Sequence, residues 1–97
     1  MNIFDIPKGY MPQELAETLL ENKNVRIERI VSKNHTTDWL EQDEDEWLVL
    51  LVGDAEIEFE DITITLKVGD TMFIPKHQKH RVAKTTKCVW LCIFIGE

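Results

Sequence analysis

The stretch Trp47-Leu-Val-Leu-Leu-Val-Gly-Asp-Ala-Glu-Ile-Glu-Phe-Glu-Asp-Ile-Thr-Ile-Thr-Leu66 decides the fold. An apolar run from Trp47 to Val52 stops at Gly53-Asp54. Ala55 to Glu60 then alternates apolar with acidic residues, and Asp61 turns the chain into Ile62-Thr-Ile-Thr-Leu66. A period of two is the pattern of a strand with one buried face, and Gly-Asp supplies the turn chemistry between runs. Three strands are expected within these twenty residues.

Working outward, Val68-Gly69-Asp70 reads as another turn and Thr71 to Ile74 as another short apolar strand. Pro75 to Lys79 reads as a polar loop and Cys88 to Ile95 as the last strand. Upstream, Val25-Arg-Ile-Glu-Arg-Ile-Val31 alternates apolar with charged residues, so the β region is expected to run over 25–95. Before it, Pro12-Gln-Glu-Leu-Ala-Glu-Thr-Leu-Leu-Glu21 has Pro and acids at its start and Leu15, Ala16, Leu19 and Leu20 at helical spacing. This predicts a short amphipathic helix over 12–22. Many short strands separated by small turns argue for an antiparallel sandwich or barrel.

At 97 residues, 43% of them hydrophobic, the chain is read as one domain, with about 65% of its extended surface available for burial. No repeat or low-complexity linker divides it. The N-terminal stretch is interrupted by Asp5, Pro7 and Gly9, unlike a signal peptide, and no apolar run approaches membrane-spanning length, so a cytoplasmic location is expected. A formal charge of −7 argues against nucleic-acid and anionic-membrane partners. The charge is also partitioned: Asp38 to Asp61 holds eleven acids and no Lys or Arg, whereas Lys67 to Lys87 holds six bases and one acid. Solvent faces of neighbouring strands account for this more simply than a dedicated binding role. Cys88 and Cys92 lie in one strand with Cα atoms about 13 Å apart, too far for a disulfide, and read as small buried hydrophobes. The run Val89 to Phe94 lacks polar alternation, which predicts a homodimer covering that strand.

Residues able to coordinate a metal or move a proton gather in Trp39-Leu-Glu-Gln-Asp-Glu-Asp-Glu46 and in Pro75-Lys-His-Gln-Lys-His80-Arg81. Glu46 opens the apolar run and shares the parity of Leu48 and Leu50, so it points inward if they do. A buried carboxylate needs a partner, which a metal or an imidazole would supply. Asp43, Glu44 and Asp45 read as loop charges. The sequence lacks an EF-hand loop, a phosphate-binding glycine loop and a G-x-S-x-G elbow, which removes support for nucleotide binding and nucleophilic hydrolysis.

Glu46, Gly53, Gly69, Pro75 and His80 stand at spacings that resemble the cupin motifs G-x5-H-x-H-x(3,4)-E-x6-G and G-x5-P-x-G-x2-H-x3-N. The resemblance covers the whole chain and is to small single-domain cupins. It implies an all-β fold, a small antiparallel barrel of the double-stranded β-helix type, with a divalent metal held inside by motif His and Glu residues. The departures are specific. The His-x-His positions hold Trp39 and Glu41 in one register and Leu40 and Gln42 in the other, His77 replaces the second motif's glycine, Lys84 replaces its asparagine, and Lys33 stands at the first glycine. Glu46 and His80 carry over by position as metal ligands, and Glu41 and His77 are the nearby substitutes. Two carboxylates and two imidazoles would suit Fe, Mn, Ni or Zn. The competing account makes His77 an exposed loop histidine and Glu41 one more acid in a solvated run. His35, Trp39 and Gln42 are cavity or outer-shell candidates. Three functions remain open: a metal-dependent enzyme acting on a small molecule, a non-catalytic small-ligand-binding or sensor cupin whose metal site has degenerated, and an associative role through an apolar edge.

Overall fold

The apolar run that opens at Glu46 lies at the centre of a two-sheet β structure. This computed structural model describes residues 1–96. Eight strands follow one another: β1 (Leu15–Glu21), β2 (Val25–Lys33), β3 (Asp45–Val52), β4 (Ala55–Phe59), β5 (Thr63–Leu66), β6 (Thr71–Ile74), β7 (His80–Thr85) and β8 (Lys87–Ile95). A five-stranded sheet is ordered β1-β2-β8-β3-β6 and a three-stranded sheet β5-β4-β7, with every pairing antiparallel. Leu48, Leu50, Ile74, Trp90 and Phe94 from the larger sheet pack with Ala55, Ile57, Phe59 and Leu66 from the smaller in one core. The exposed area, 6019 Å², is close to the roughly 5,800 Å² that mass scaling gives for a chain of this size.

The expected helix over 12–22 does not form. Residues Leu15–Glu21 are instead strand β1, with Leu15 opposite Val31, Ala16 opposite Ile30 and Glu17 opposite Arg29. A single ten-residue helix is marginal alone, whereas the free edge of β2 offers a complete hydrogen-bonding ladder. The helical spacing in the sequence comes from a bulge: the register shifts between Thr18 and Leu20, so Leu20, not Leu19, falls opposite Ile27. Arg29 adds a second attachment. Its buried guanidinium donates to Glu17 and to the carbonyls of Ile3 and Asp5, tying the N-terminal segment to the outside of the sheet.

β7, a strand that periodicity alone does not reveal, pairs with β4, and its first residue, His80, bridges to Leu40 in the segment before β3. That bridge sets the site's register. No helix among the described residues is long and apolar enough to cross a membrane.

Candidate functional site

Alternation along the strands decides which side chains face the space between the sheets. Arg26, Phe94, Glu46 and Ile74 form one row across β2, β8, β3 and β6, and Glu28, Cys92, Leu48 and Met72 form the next. His80 and Val82 face them from β7 and Ile57 from β4, around a cavity of about 240 Å³. Leu48, Ile57, Ile74 and Trp90 line it beside polar and ionisable side chains that include Arg26, Glu28, Gln42, Glu46 and His80.

Glu46 and His80 both line this cavity, with only 6% and 3% of their surfaces exposed. They arrive from opposite sheets. Burial pushes the Glu46 carboxyl up from the ordinary carboxylate range, and Glu28 adds to the shift. Hydrogen bonds from the Cys92 thiol and the Gln42 amide, and the charge of His80, pull the other way without overcoming it. Cys92 is itself pushed well up by burial and by Glu46, so its sulfur keeps its proton at neutral pH and acts as a donor. His80 Nδ1 lies 2.9 Å from the carbonyl oxygen of Gln78. A carbonyl only accepts, so Nδ1 carries the hydrogen and a neutral ring keeps Nε2 as its lone-pair acceptor. A buried carboxyl with a raised pKa beside an imidazole can bind a polar ligand and can hold or move a proton on it.

The other candidates separate. Gln42 lines the cavity, and its Oε1 is buried without a hydrogen-bond partner. Glu41 is exposed on the opposite side of the segment, because the Leu40–His80 bridge turns residues 40 and 42 inward. The register that places Leu40 and Gln42 at the motif's histidine positions is therefore the structural one. His77 is exposed at the loop tip, donating its backbone N–H to Gln42 O at 2.6 Å. Trp39 faces outward, with Arg81 and Lys79 over its ring at 5.1 and 5.8 Å. His35 is a clamp: Nδ1 accepts from Lys33 N–H, and Nε2 donates to Met11 O at 2.8 Å.

The site was thus read in part. Arg26, Glu28 and Cys92 line the cavity and were missed. The signal that could have found them is parity: Cys92 shares a face with Trp90 and Phe94, and Arg26 and Glu28 share one with Ile30. Arg26 lies over the Phe94 ring at 4.5 Å and donates to Glu28 at 2.8 Å and to both oxygens of Glu44 at 3.0 Å.

Whether a divalent metal suits these residues can be judged from their placement. Among the described residues no three His, Cys, Asp or Glu side chains converge into a group able to hold an ion. Protein metal centres use three or more ligands in matched geometry. Of the carboxyls on the cavity wall, Glu46 is engaged with Cys92 and Gln42 and Glu28 with Arg26, and the one imidazole, His80, is held at Gln78, so the donor set does not fit such a centre.

His77 explains one motif departure. Its φ of +67° is a left-handed conformation that glycine adopts freely, and glycine is the motif residue there. The backbone keeps the glycine geometry after the glycine is gone. His77→Gly is expected to raise stability by about 0.5–1 kcal/mol, the relief of strain less the entropy of a freer unfolded chain. Urea unfolding checks the sign.

The comparisons with known proteins agree with this architecture. The family model described as a cupin domain matches residues 30–94. The structure of a putative mannose-6-phosphate isomerase from Ralstonia eutropha JMP134 superposes with a TM-score of 0.92 at 35% identity, covering 100% of this chain and 97% of that one. A cupin superfamily protein from Desulfitobacterium hafniense DCB-2 gives a TM-score of 0.83 at 24% identity over 94% of this chain and 84% of that one. KdgF from Halomonas sp. gives 0.82 at 14% identity over 100% and 93%, a likeness of fold alone. A search of curated protein sequences finds no match. With a family match across most of the chain and a full-length relative at 35% identity, this chain belongs to the cupin family.

Proposed function

We propose that this chain is a cupin that binds a small polar organic molecule directly on the side chains of its barrel. The observation that carries the reading is one cavity in which Glu46, His80 and the unpaired Gln42 Oε1 face the same space. An orphaned buried acceptor costs about 1–3 kcal/mol, and a ligand donor would restore it. The cavity, about 240 Å³, holds roughly eight waters' worth of liquid volume, so the ligand is smaller than a typical drug. The name carried by the Ralstonia relative, at 35% identity over both full chains, makes sugar-sized molecules the first class to test.

The test is a thermal-shift panel of sugars, polyols, amines and organic acids run beside Zn, Ni, Mn and anaerobic Fe(II). An organic compound is expected to raise the melting temperature. At about a hundred times its Kd a ligand adds roughly 2.7 kcal/mol, which no instrument would miss. A shift given by the metals alone, and lost in His80→Ala, would overturn this reading in favour of a metal-dependent cupin.

A homodimer is part of the same proposal. The outer face of the larger sheet carries Ile27, Ile93, Trp47 and Phe73 in one row, with Phe73 55% exposed. A two-fold pair sets the same patch against itself, and an uncharged row in a chain of net charge −7 meets a second copy without repulsion. Phe73→Glu should shift the particle to a monomer in sedimentation with the β spectrum unchanged. A wild-type monomer at micromolar concentration removes the dimer.

A further inference from the structure

We infer that the cavity selects a small molecule rich in hydrogen-bond donors and free of negative charge, a hydroxylated or amino compound, and turns away phosphorylated and carboxylated ones. This rests on the cavity reading above and adds the donor pattern and charge of what enters.

Glu46, Glu28 and, at the rim, Glu14 present carboxyl groups, and Gln42 presents an unpartnered Oε1. These are acceptors, apart from whatever proton Glu46 retains. Against them, the one guanidinium among the described lining residues belongs to Arg26. Three of its five N–H groups are given to Glu28 and to a bidentate Glu44, and one face lies on Phe94. Two carboxylates balance that cation more than once over. A phosphate entering the cavity would meet carboxylates with no lysine and no unpaired arginine, whereas recognition of phosphate calls for Arg, Lys or a nest of backbone N–H groups aimed at it. A hydroxyl or ammonium group would satisfy acceptors that now lack donors, and an ammonium could also lie against Trp90, which forms part of the wall.

Three sugars on one carbon frame isolate the charge: mannose, mannosamine and mannose 6-phosphate, with glycerol, 2-aminoglycerol and glycerol 3-phosphate as the same series on a smaller frame. Calorimetric titration gives affinity, and the side-chain amide signal of Gln42 in nitrogen-edited NMR shows whether the cavity is occupied. Mannosamine is expected to bind most tightly. The phosphorylated member of each series should bind at least about tenfold more weakly than its neutral counterpart. Glu46→Gln keeps the shape and removes the charge, so it should lower the amine's affinity by about tenfold while changing mannose less. Tighter binding of a phosphorylated member with the Gln42 signal displaced would overturn the inference and leave the cavity reading standing. Equal losses for amine and sugar in Glu46→Gln would also overturn it. No displacement of Gln42 by any of the six at tens of millimolar would overturn both.

Discussion

Gly53→Ala is expected to cost about 3–5 kcal/mol, although it adds a single methyl group. Gly53 closes the apolar run of β3 with φ at +92°, a conformation that an L side chain adopts only under strain. Space is the larger difficulty. A Cβ there would overlap the Lys87 carbonyl oxygen and sit 2.8 Å from Cys88 Sγ, at the buried start of β8. The oxygen is backbone, so relief requires moving β8 itself, which lines the cavity through Trp90, Cys92 and Phe94 on the same face as Cys88. Gly69→Ala is the control. Its φ is +90°, yet nothing lies within 4 Å of the added carbon, so it should lose only the strain, about 1–2 kcal/mol. Urea denaturation of the two variants separates packing from conformation. Equal losses would mean that the β3–β8 contact yields easily, contrary to the packing described. Both glycines belong to the motif spacing, and only one is there to admit a neighbour.

That contrast bears on how much of the molecule could be read in advance. Strands β3 to β6 and the inward parity of Glu46 with Leu48 and Leu50 were legible, because a buried run and a period of two are local signals. β1 was not. Its apolar spacing fits a helix until the bulge at Leu19–Leu20 is known, and the bulge exists only because β2 needs an edge partner. The choice between Glu41 and Gln42 depends on the bridge from Leu40 to His80, forty residues apart, which no local pattern encodes. The inward faces of Arg26 and Glu28 were hidden for another reason. In Val25-Arg-Ile-Glu-Arg-Ile-Val31 the charged residues are expected to face solvent, but this barrel has a polar interior. There the side chains at 26 and 28 face the cavity, while Ile27 belongs to the outer stripe. Sequence rules for inside and outside fail where a fold keeps a polar-lined cavity at its centre. That failure marks the site.

Glu46→Gln provides the second large effect: stability near neutral pH should rise by about 0.5–2 kcal/mol while the affinity for amine ligands falls. The sign follows from the proton balance. Burial holds the folded-state pKa of Glu46 above its unfolded value, so between the two the native protein binds the proton that the unfolded chain has lost. Stability from this group is complete below the unfolded value and declines as pH rises through the folded one. Above that folded value the native state bears a buried charge that Cys92 and Gln42 hydrogen-bond and His80 attracts, but that burial and Glu28 oppose. Glutamine removes the charge and its slope together. Surface pairs such as Arg81–Glu58 weaken on acidification in both proteins, so the informative quantity is the difference between wild type and variant, which should shrink as pH falls from about 7 towards 4. A difference that stays constant with pH, or a variant less stable than wild type at neutral pH, would mean that the partners around Glu46 outweigh its burial. A gain in stability with a loss of binding is the pattern of a side chain kept for what it holds, since the fold is better off without its charge.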